Sequence, residues 1–253
     1  MDAEQRRRWL VAAARAEGRV EVTAAAAVLD TAPETIRRDL ALLEKHGLLH
    51  RVHGGARPVE RAGYEIELAT REHRRLAEKQ RIARAALGQL GDAESVYLDE
   101  GSTGRALADA FPADRRCTVV TSALPTATAL ATGTAATVLV LGGRLRGNTL
   151  ATVDHWATRM LADLVLDVVF LGANGISREH GLTTPDPAVA AIKSKALARA
   201  GRKILIADHT KFGVNSFCRF ADVADFDVIV TDTGLPAAQA RRYSLLGPEV
   251  VRA

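Results

Sequence analysis

The sequence is poor in several features that would each define a class of protein. Only two cysteines, Cys117 and Cys218, occur among 253 residues, and they lie 101 positions apart. This number and spacing argue against a disulfide framework or a zinc ribbon and favour two buried thiols in a reducing compartment. No apolar run approaches the roughly 20 residues of a membrane-spanning helix, and the acids near the amino terminus do not suit a secretory signal. We therefore expect a cytoplasmic globular protein that does not enter a membrane.

Lysine is scarce as well, since 28 of the 34 basic residues are arginine. The net charge of +4 and the pI near 9.3 permit nucleic-acid binding without requiring it. The distribution of charge is more informative, because residues 45–57 contain Lys45, Arg51, Arg57 and three histidines but no acid. No carboxylate or thiol accompanies those histidines, so the sequence predicts neither a metal site nor a cofactor there.

The first 58 residues show short helical patterns followed by a hairpin pattern. Helices are predicted at Gln5–Ala16, Val22–Leu29 and Pro33–His46, with Gly47 suited to end the third. In that third helix Ile36, Leu40 and Leu43 recur at i, i+4 and i+7, which gives one buried stripe. Leu48–Val52 and Gly54–Ala56 indicate a small hairpin.

The third helix and the hairpin together predict a winged helix-turn-helix. If the apolar stripe faces the core, Arg38 lies on the opposite face, and Thr35 and Arg37 lie on the flanks. Such a helix sends the side chains of its first turns into the major groove, where arginine matches guanine edges or phosphates. Arg51 and His53 of the wing would lie near backbone phosphates. The alternative is a surface helix whose arginines are solvated or paired with acids.

From Ser95 onward, apolar runs alternate with helical stretches. Near-continuous Val, Ile and Leu runs separated by helices predict a mostly parallel sheet that is covered on both faces. We therefore predict a winged helix-turn-helix domain at 1–58, a linker and connecting helix at 59–94, and an α/β domain at 95–253. The strands are expected at residues 95–100, 117–122, 136–143, 166–175, 202–208 and 226–232.

Small or polar residues follow almost every predicted strand, where open α/β sheets bind their ligands. Gly101, Ser102 and Thr103 precede a helix and offer N–H groups, hydroxyls and a helix dipole that suit a phosphate. A capped helix start would explain the same three residues. The other strand-end candidates are Thr121, Ser122, Gly142, Gly143, Gly172, Asn174 and Gly175.

The stretch "TIRRDLALLEKHGLLHRVHGGA" resembles the winged helix-turn-helix of the DeoR family of bacterial transcriptional regulators. Further matches follow in family order through "LDEGST", "TVVTS", "VLGGRL", "FLGANGI", "GLTT" and "IADHTKFG", so the resemblance covers roughly residues 4–232. It implies that Thr35, Arg37 and Arg38 belong to the recognition helix. One departure is Thr31–Ala32, where the family commonly has valine and serine; Ala32 cannot cap the helix through its side chain.

The resemblance also implies a sensor domain similar to the ribose-5-phosphate isomerase fold, with a phosphorylated sugar as effector. Lys193, Asp208 and Lys211 are candidates for contacting it, although a loop held by a salt bridge would also explain the last two. The isomerases have a Glu-Lys pair where this chain has Ile192–Lys193, and isoleucine cannot act as a base. We therefore expect ligand binding without chemistry, in a repressor of a carbohydrate operon that works as a homo-oligomer on operator DNA. A sugar-phosphate isomerase with an amino-terminal appendage, and a wing domain that binds protein, remain the alternatives.

Overall fold

The computed structural model describes residues 3–45, 49–58 and 74–253. Its contacts divide the chain into two compact units, Met1–Arg61 and Ala62–Ala253, and each is described by itself. The domain boundaries predicted after residues 58 and 94 stay predictions. His46, Gly47 and the greater part of the predicted linker lie outside the described residues.

The first unit contains three helices and a small antiparallel sheet in the order β1-β3-β2. Its elements are α1 (Ala3–Glu17), β1 (Val20–Glu21), α2 (Val22–Val28), α3 (Pro33–Lys45), β2 (Leu49–Val52) and β3 (Gly55–Pro58). The three helices and the hairpin agree with the sequence analysis. The two-residue strand β1 was not predicted, because its pairing with β3 is long-range and leaves no local pattern.

The core of the first unit forms around the apolar stripe of α3. Ile36, Leu40 and Leu43 are buried there together with Leu10 and Ala14 of α1. This burial turns the opposite face of α3 outward, which is the orientation that a recognition helix needs.

A buried carboxylate links α1 to α3. Asp39 is only 7% exposed, and its two oxygens pair with the guanidinium groups of Arg6 (2.6 Å) and Arg7 (3.4 Å). Asp39 therefore joins two helices and does not pair with Arg37 or Arg38.

The second unit is built around a seven-stranded sheet in which every neighbouring pair is parallel. Its helices are α4 (Leu76–Leu87), α5 (Ser102–Asp109), α6 (Leu124–Gly133), α7 (His155–Ala162), α8 (Pro187–Ala198) and α9 (Ala237–Ser244). The strands of the sheet are β4 (Ser95–Leu98), β5 (Thr118–Thr121), β6 (Thr137–Val140), β9 (Leu166–Leu171), β12 (Ala200–Ile206), β14 (Val228–Thr231) and β15 (Glu249–Arg252).

The strand order is β15-β14-β12-β9-β4-β5-β6. The chain therefore runs outward from β4 to one edge and then returns to β9 on the other side of β4. This reversal makes the carboxyl ends of β4 and β9 the topological switch point, where sheets of this kind open a crevice for ligands. Each of the six predicted strands supplies one strand of this sheet, and the seventh strand, β15, was not predicted.

Both faces of the sheet are covered, as the unbroken apolar strands predicted. In β9, Val168 and Phe170 pack into the core on one face, whereas Val169 and Leu171 pack into the core on the other. Helix α4 contributes Ile82 to the first of these cores. The described part of α4 therefore packs as part of the α/β unit.

Smaller strands stand outside the main sheet. A hairpin is formed by β7 (Arg144–Arg146) and β8 (Ala151–Val153), and β10 (Gly175–Ser177), β11 (Gly181–Thr184) and β13 (Cys218–Ala221) form an antiparallel sheet. The predicted strand 166–175 is therefore divided, because β9 ends at Leu171 and β10 begins at Gly175. Among the residues described, no helix is long and apolar enough to span a bilayer.

Candidate DNA-binding surface and effector site

The outer face of α3 carries exposed arginines. The guanidinium of Arg37 pairs with Glu34 one turn earlier (2.8 Å), and both side chains are exposed. Arg38 is exposed and makes no hydrogen bond or ion pair with any residue that the structure describes. Thr35 is half-buried on the flank. An exposed ion pair contributes little energy, so a phosphate can replace Glu34 at Arg37 at small cost.

The wing is a tight hairpin in which Arg51 pairs with Ala56 and Val52 with Gly55. The side chains of Arg51 and His53 are exposed. Gly54 in the turn has a φ of +76°, which few residues other than glycine adopt.

Glycine is required at a second place in the wing. A Cβ at Gly55 would lie 2.0 Å from the carbonyl oxygen of Val20. The Gly54–Gly55 pair therefore allows the hairpin both to turn and to press against β1.

The start of α3 lacks a side-chain cap of the usual kind. The carbonyl of Ala32 accepts the first helical hydrogen bonds, from Thr35 N–H (2.9 Å) and Ile36 N–H (3.3 Å). Ala32 therefore occupies the N-cap position, and its methyl group cannot accept a hydrogen bond. The preceding Thr31 does not replace it as a cap, because it donates its hydroxyl to the carbonyl of Leu29 (2.9 Å).

In the second unit, a buried ion pair lies at the switch point. Asp99 follows β4 and Gly172 follows β9, and the N–H of Gly172 donates to Asp99 Oδ2 (2.8 Å). The ammonium of Lys193 from α8 bonds the same carboxylate and donates to the carbonyl of Gly172 (3.1 Å). Lys193 is thus only 3% exposed and neutralised, so in this conformation it is not an open cation for a ligand.

Gly101, Ser102 and Thr103 form the amino-terminal turn of α5, beside Asp99. Gly101 has a φ of +103°, and a Cβ on Gly104 would lie 2.3 Å from the carbonyl oxygen of Asp99. The helix therefore starts very close to the strand end. Ser102 and Thr103 are half-exposed and make no hydrogen bond through their hydroxyls to any described residue, so both groups are open to a ligand.

A buried arginine lies beside this turn. The guanidinium of Arg146, on β7, approaches Glu100 (3.5 Å) and Asp186 (3.2 Å), and its side chain is 8% exposed. Asp186 also caps α8 by accepting from Ala188 N–H (2.8 Å). Sequence reasoning missed Arg146, because the residues that hold it are distant along the chain.

The loop after β12 places Asp208 and Lys211 together. The carboxylate of Asp208 accepts from the N–H (3.0 Å) and the hydroxyl of Thr210. Burial alone would raise the pKa of Asp208, but the nearby Lys211 ammonium and the Thr210 hydrogen bonds outweigh it and lower that pKa below the ordinary value. Lys211 is half-exposed at this edge.

The neighbouring His209 is held by a carboxylate at the end of β14. Its ring Nδ1 lies 2.7 Å from Asp232 Oδ2, and its backbone N–H donates to Asp232 Oδ1 (2.8 Å). A Cβ on Gly234 would lie 2.3 Å from that ring nitrogen, so glycine is needed for the fit. Asp232 is buried while the imidazole is 27% exposed, which leaves Nε2 as the ring nitrogen available to a ligand.

Several predicted site residues have structural roles in this conformation. The hydroxyl of Thr121 accepts from Ala123 N–H (3.1 Å), and both Thr121 and Ser122 are buried. Gly175 fits against the carbonyl of Val214, and Gly143 against that of Val153.

Two further predicted residues are also accessible. Asn174, after β9, is half-exposed and its Oδ1 accepts from the Thr184 hydroxyl (3.1 Å). Gly142, at the end of β6, is exposed, and its N–H points to the sulfur of Met160 (3.1 Å). The residues brought together at the switch point are therefore Gly101, Ser102, Thr103, Gly172, Asn174 and Lys193, with Asp208 and Lys211 one strand away.

A cavity of about 560 Å³ lies at the opposite edge of the sheet, at the amino-terminal ends of β4, β5 and β6. Its lining includes Glu94, Arg116 and Cys117. Because ligands of open parallel sheets bind at the carboxyl ends of strands, the switch point is the candidate site instead.

A winged helix-turn-helix unit followed by a parallel α/β unit with polar residues at the carboxyl ends of its strands defines a class: the DNA-binding regulators that carry a sensor domain. Comparison with known families identifies the member of that class. The model of the DeoR-like helix-turn-helix domain matches residues 6–62, and that of the DeoR C terminal sensor domain matches residues 74–233. The chain belongs to the DeoR family of transcriptional regulators, which confirms the resemblance and the fold class predicted from the sequence.

Individual relatives match along most of the chain. The HTH-type transcriptional regulator GlpR of Haloferax volcanii is 34% identical over 99% of this chain and 98% of its own. The lactose phosphotransferase system repressor of Staphylococcus aureus is 32% identical over 81% of this chain and 82% of its own. Among solved structures, ribose 5-phosphate isomerase A of Neisseria gonorrhoeae is 16% identical, with a TM-score of 0.38 over 54% of this chain and 53% of that one.

Proposed function

We propose that this protein is a cytoplasmic repressor of a sugar or carbohydrate operon, controlled by a phosphorylated sugar. The observation that carries the DNA-binding part is the exposed, unpaired Arg38 on a helix whose opposite face forms the core. The names of the relatives support the type of operon, since one is a lactose phosphotransferase system repressor and another a putative aga operon repressor.

In the proposed complex, α3 enters the major groove with Thr35, Arg37 and Arg38 leading. Arg38 reads a base edge or a phosphate, and Arg37 exchanges Glu34 for a phosphate oxygen. Arg51 and His53 on the wing neutralise the adjacent backbone. Symmetric operators present two half-sites, so the working form is a homo-oligomer with an even number of heads.

The phosphate of the effector is proposed to bind at the start of α5. Free N–H groups of the first turn, two unengaged hydroxyls and the positive end of the helix favour an anion there. The sugar would extend along the strand ends towards Asn174, Asp208 and Lys211. These residues offer a neutral amide, a carboxylate and an ammonium group for hydrogen bonds to hydroxyls.

We propose that the effector is bound and not converted. An aldose–ketose isomerase needs a base that removes a proton from carbon. Ile192 stands where the isomerases have glutamate, and its side chain is 3% exposed in the core. Measurable turnover of pentose or hexose phosphates that Lys193→Ala abolishes would overturn this part of the proposal.

The DNA-binding part is tested by titrating the protein's own upstream DNA at several salt concentrations. Arg38→Ala should weaken the specific complex by about 1–3 kcal/mol and reduce the salt dependence if Arg38 contacts a phosphate. Arg116→Ala is the matched control, since it removes an exposed arginine of the second unit. Binding that is absent in the wild type, insensitive to salt or equal in both variants contradicts the proposal.

A further inference from the structure

The turn at the tip of the wing does not match the twist of the strands that it joins. Two residues, His53 and Gly54, connect the paired residues Val52 and Gly55. Two-residue hairpin turns that match the strand twist need a positive φ at the first of their two residues. Here the positive φ, +76°, is at Gly54, the second residue, and the φ of His53 is not positive. We therefore expect contacts from outside the hairpin to hold this turn.

Donors from residues 19–22 bind both carbonyl groups of the turn. Nη2 of Arg19 donates to the carbonyl of His53 (2.9 Å), and the N–H of Val22 donates to the carbonyl of Gly54 (2.9 Å). Nε of Arg19 is buried and has no hydrogen-bond partner among the residues that the structure describes. The side chain of Arg19 therefore packs against the first unit up to its Nε, and its far end reaches the turn.

A second contact of Arg19 is an exposed ion pair. Its guanidinium lies 3.4 Å from Glu21 Oε1, and the two side chains are 40% and 56% exposed. An exposed pair of this kind contributes little to stability. The hydrogen bond to the turn is the contact that bears on function, because the turn contains His53 and directly follows the strand that carries Arg51. Both of these side chains are exposed.

We propose that Arg19 is a positioning residue of the DNA-binding surface, which holds the wing turn so that Arg51 and His53 face the DNA backbone. Arg19 acts through the turn and does not itself bind a phosphate. The inference rests on the proposed function, because the wing needs positioning only if it meets DNA. Removal of the Arg19 guanidinium should therefore weaken the contacts of the wing although no side chain of the wing has changed.

A double-mutant cycle on the full chain separates positioning from direct contact. Wild type, Arg19→Ala, Arg51→Ala and the double variant are titrated with the protein's own upstream DNA at several salt concentrations. Each single variant should weaken the complex by about tenfold or more. Each should also lower the slope of log affinity against log salt by about 0.9, the value for one phosphate. The double variant should lose little more than Arg19→Ala, because the wing contact is already lost.

Glu21→Gln is the matched control, since it removes the ion pair of Arg19 and leaves the hydrogen bond to the turn. It should bind DNA at least as tightly as the wild type. Arg19→Met replaces the alanine variant in a second cycle, because methionine keeps most of the apolar stem and removes only the donors. Circular dichroism establishes that each variant is folded.

Additive losses in folded variants overturn the proposal, because a double variant that loses the product of the two fold-changes indicates independent contacts. An Arg19→Met or Arg51→Ala protein that binds as tightly as the wild type also overturns it, since the wing then has no contact that needs positioning. A Glu21→Gln protein that binds as weakly as Arg19→Ala does so too, because the ion pair would then be the cause.

Arg38→Ala distinguishes this inference from the proposed function in the same titration. If the wild type binds and Arg38→Ala weakens the complex while the cycle is additive, only the role of Arg19 is wrong. If the wild type binds no upstream DNA, the proposed function fails and the role of Arg19 fails with it.

Discussion

His209 best illustrates how the candidate site could recognise a ligand, because its ring is already held in one orientation. Asp232 holds Nδ1 at 2.7 Å, and the fit depends on the missing side chain at Gly234. A carboxylate on one ring nitrogen fixes the orientation of the ring, so the other ring nitrogen, Nε2, faces a ligand in a defined direction. Asp208 and Lys211 lie beside it on the same loop.

We expect His209→Gln to weaken binding of the phosphorylated effector by about tenfold or more, since a hydrogen bond to a charged group contributes roughly 1.5–3 kcal/mol. Calorimetric titration with a panel of pentose and hexose phosphates measures this. His180→Gln changes an exposed histidine elsewhere in the unit and should bind normally. Unchanged affinity in His209→Gln would remove His209 from the site.

Asp208 also makes a prediction about stability. Its pKa is lower in the folded protein than in the unfolded chain, so the ionised carboxylate contributes stability above its ordinary pKa. That contribution is lost as the pH falls through the lowered folded value. We expect Asp208→Asn to reduce the free energy of unfolding at pH 7 and to make its decline at acid pH shallower, as the pH falls through the ordinary carboxyl pKa and below it.

Urea unfolding at a series of pH values measures that difference. Asp92→Asn serves as the control, because Asp92 is exposed and makes no hydrogen bond or ion pair to any described residue. A pH profile of Asp208→Asn that runs parallel to that of the wild type contradicts the expectation.

At the scale of the element, α3 combines an ideal buried stripe with an imperfect start. Ala32 stands at the N-cap and Pro33 begins the helix, so the first turn has proline but no side-chain acceptor. We expect Ala32→Ser to stabilise the first unit by about 0.5–2 kcal/mol and to tighten operator binding. Thermal unfolding and DNA titration measure both effects.

Ala32→Val is the control, because valine adds volume at the same position without an acceptor. The cap would be shown unimportant if serine and valine gave the same unfolding temperature.

The elements that the sequence predicted are those whose pattern is local. The i, i+4, i+7 stripe of α3 and the six apolar strands repeat within a few residues, and all of them are present. The short strand β1 depends instead on contacts across a distance, namely its pairing with β3 and the approach of Gly55 to Val20. No window of a few residues contains that information.

The candidate site divides in the same way. The turn at Gly101, Ser102 and Thr103 could be predicted from the sequence, because a phosphate-binding helix start consists of consecutive residues. The pairs Asp99–Lys193 and His209–Asp232 could not, since their members lie 94 and 23 residues apart. Lys193 was therefore expected to meet the ligand, whereas the structure pairs it with a buried carboxylate.

At the scale of the whole molecule, the proposed regulator must couple two sites. The effector can alter DNA affinity only as far as it binds the two arrangements of the DNA-binding heads with different affinity. We expect a coupling of about 1–3 kcal/mol, or roughly 5- to 150-fold in the affinity for operator. By linkage, operator DNA must change the affinity for the effector by the same factor.

Titrating each ligand in the absence and presence of the other measures the two factors. The isolated Arg38→Ala protein should bind effector normally and show no effect of DNA. Two unequal factors would mean that a third process, such as a change of oligomeric state, takes part.

A regulator that converted its effector would lower the concentration to which it responds, and its effect on transcription would then depend on the rate of that conversion. In the proposed regulator, the buried hydrocarbon side chain of Ile192 offers no base, so the bound molecule would be released unchanged. Occupancy is then set by equilibrium, so the operon would respond to how much metabolite the cell holds and not to how fast it is being used.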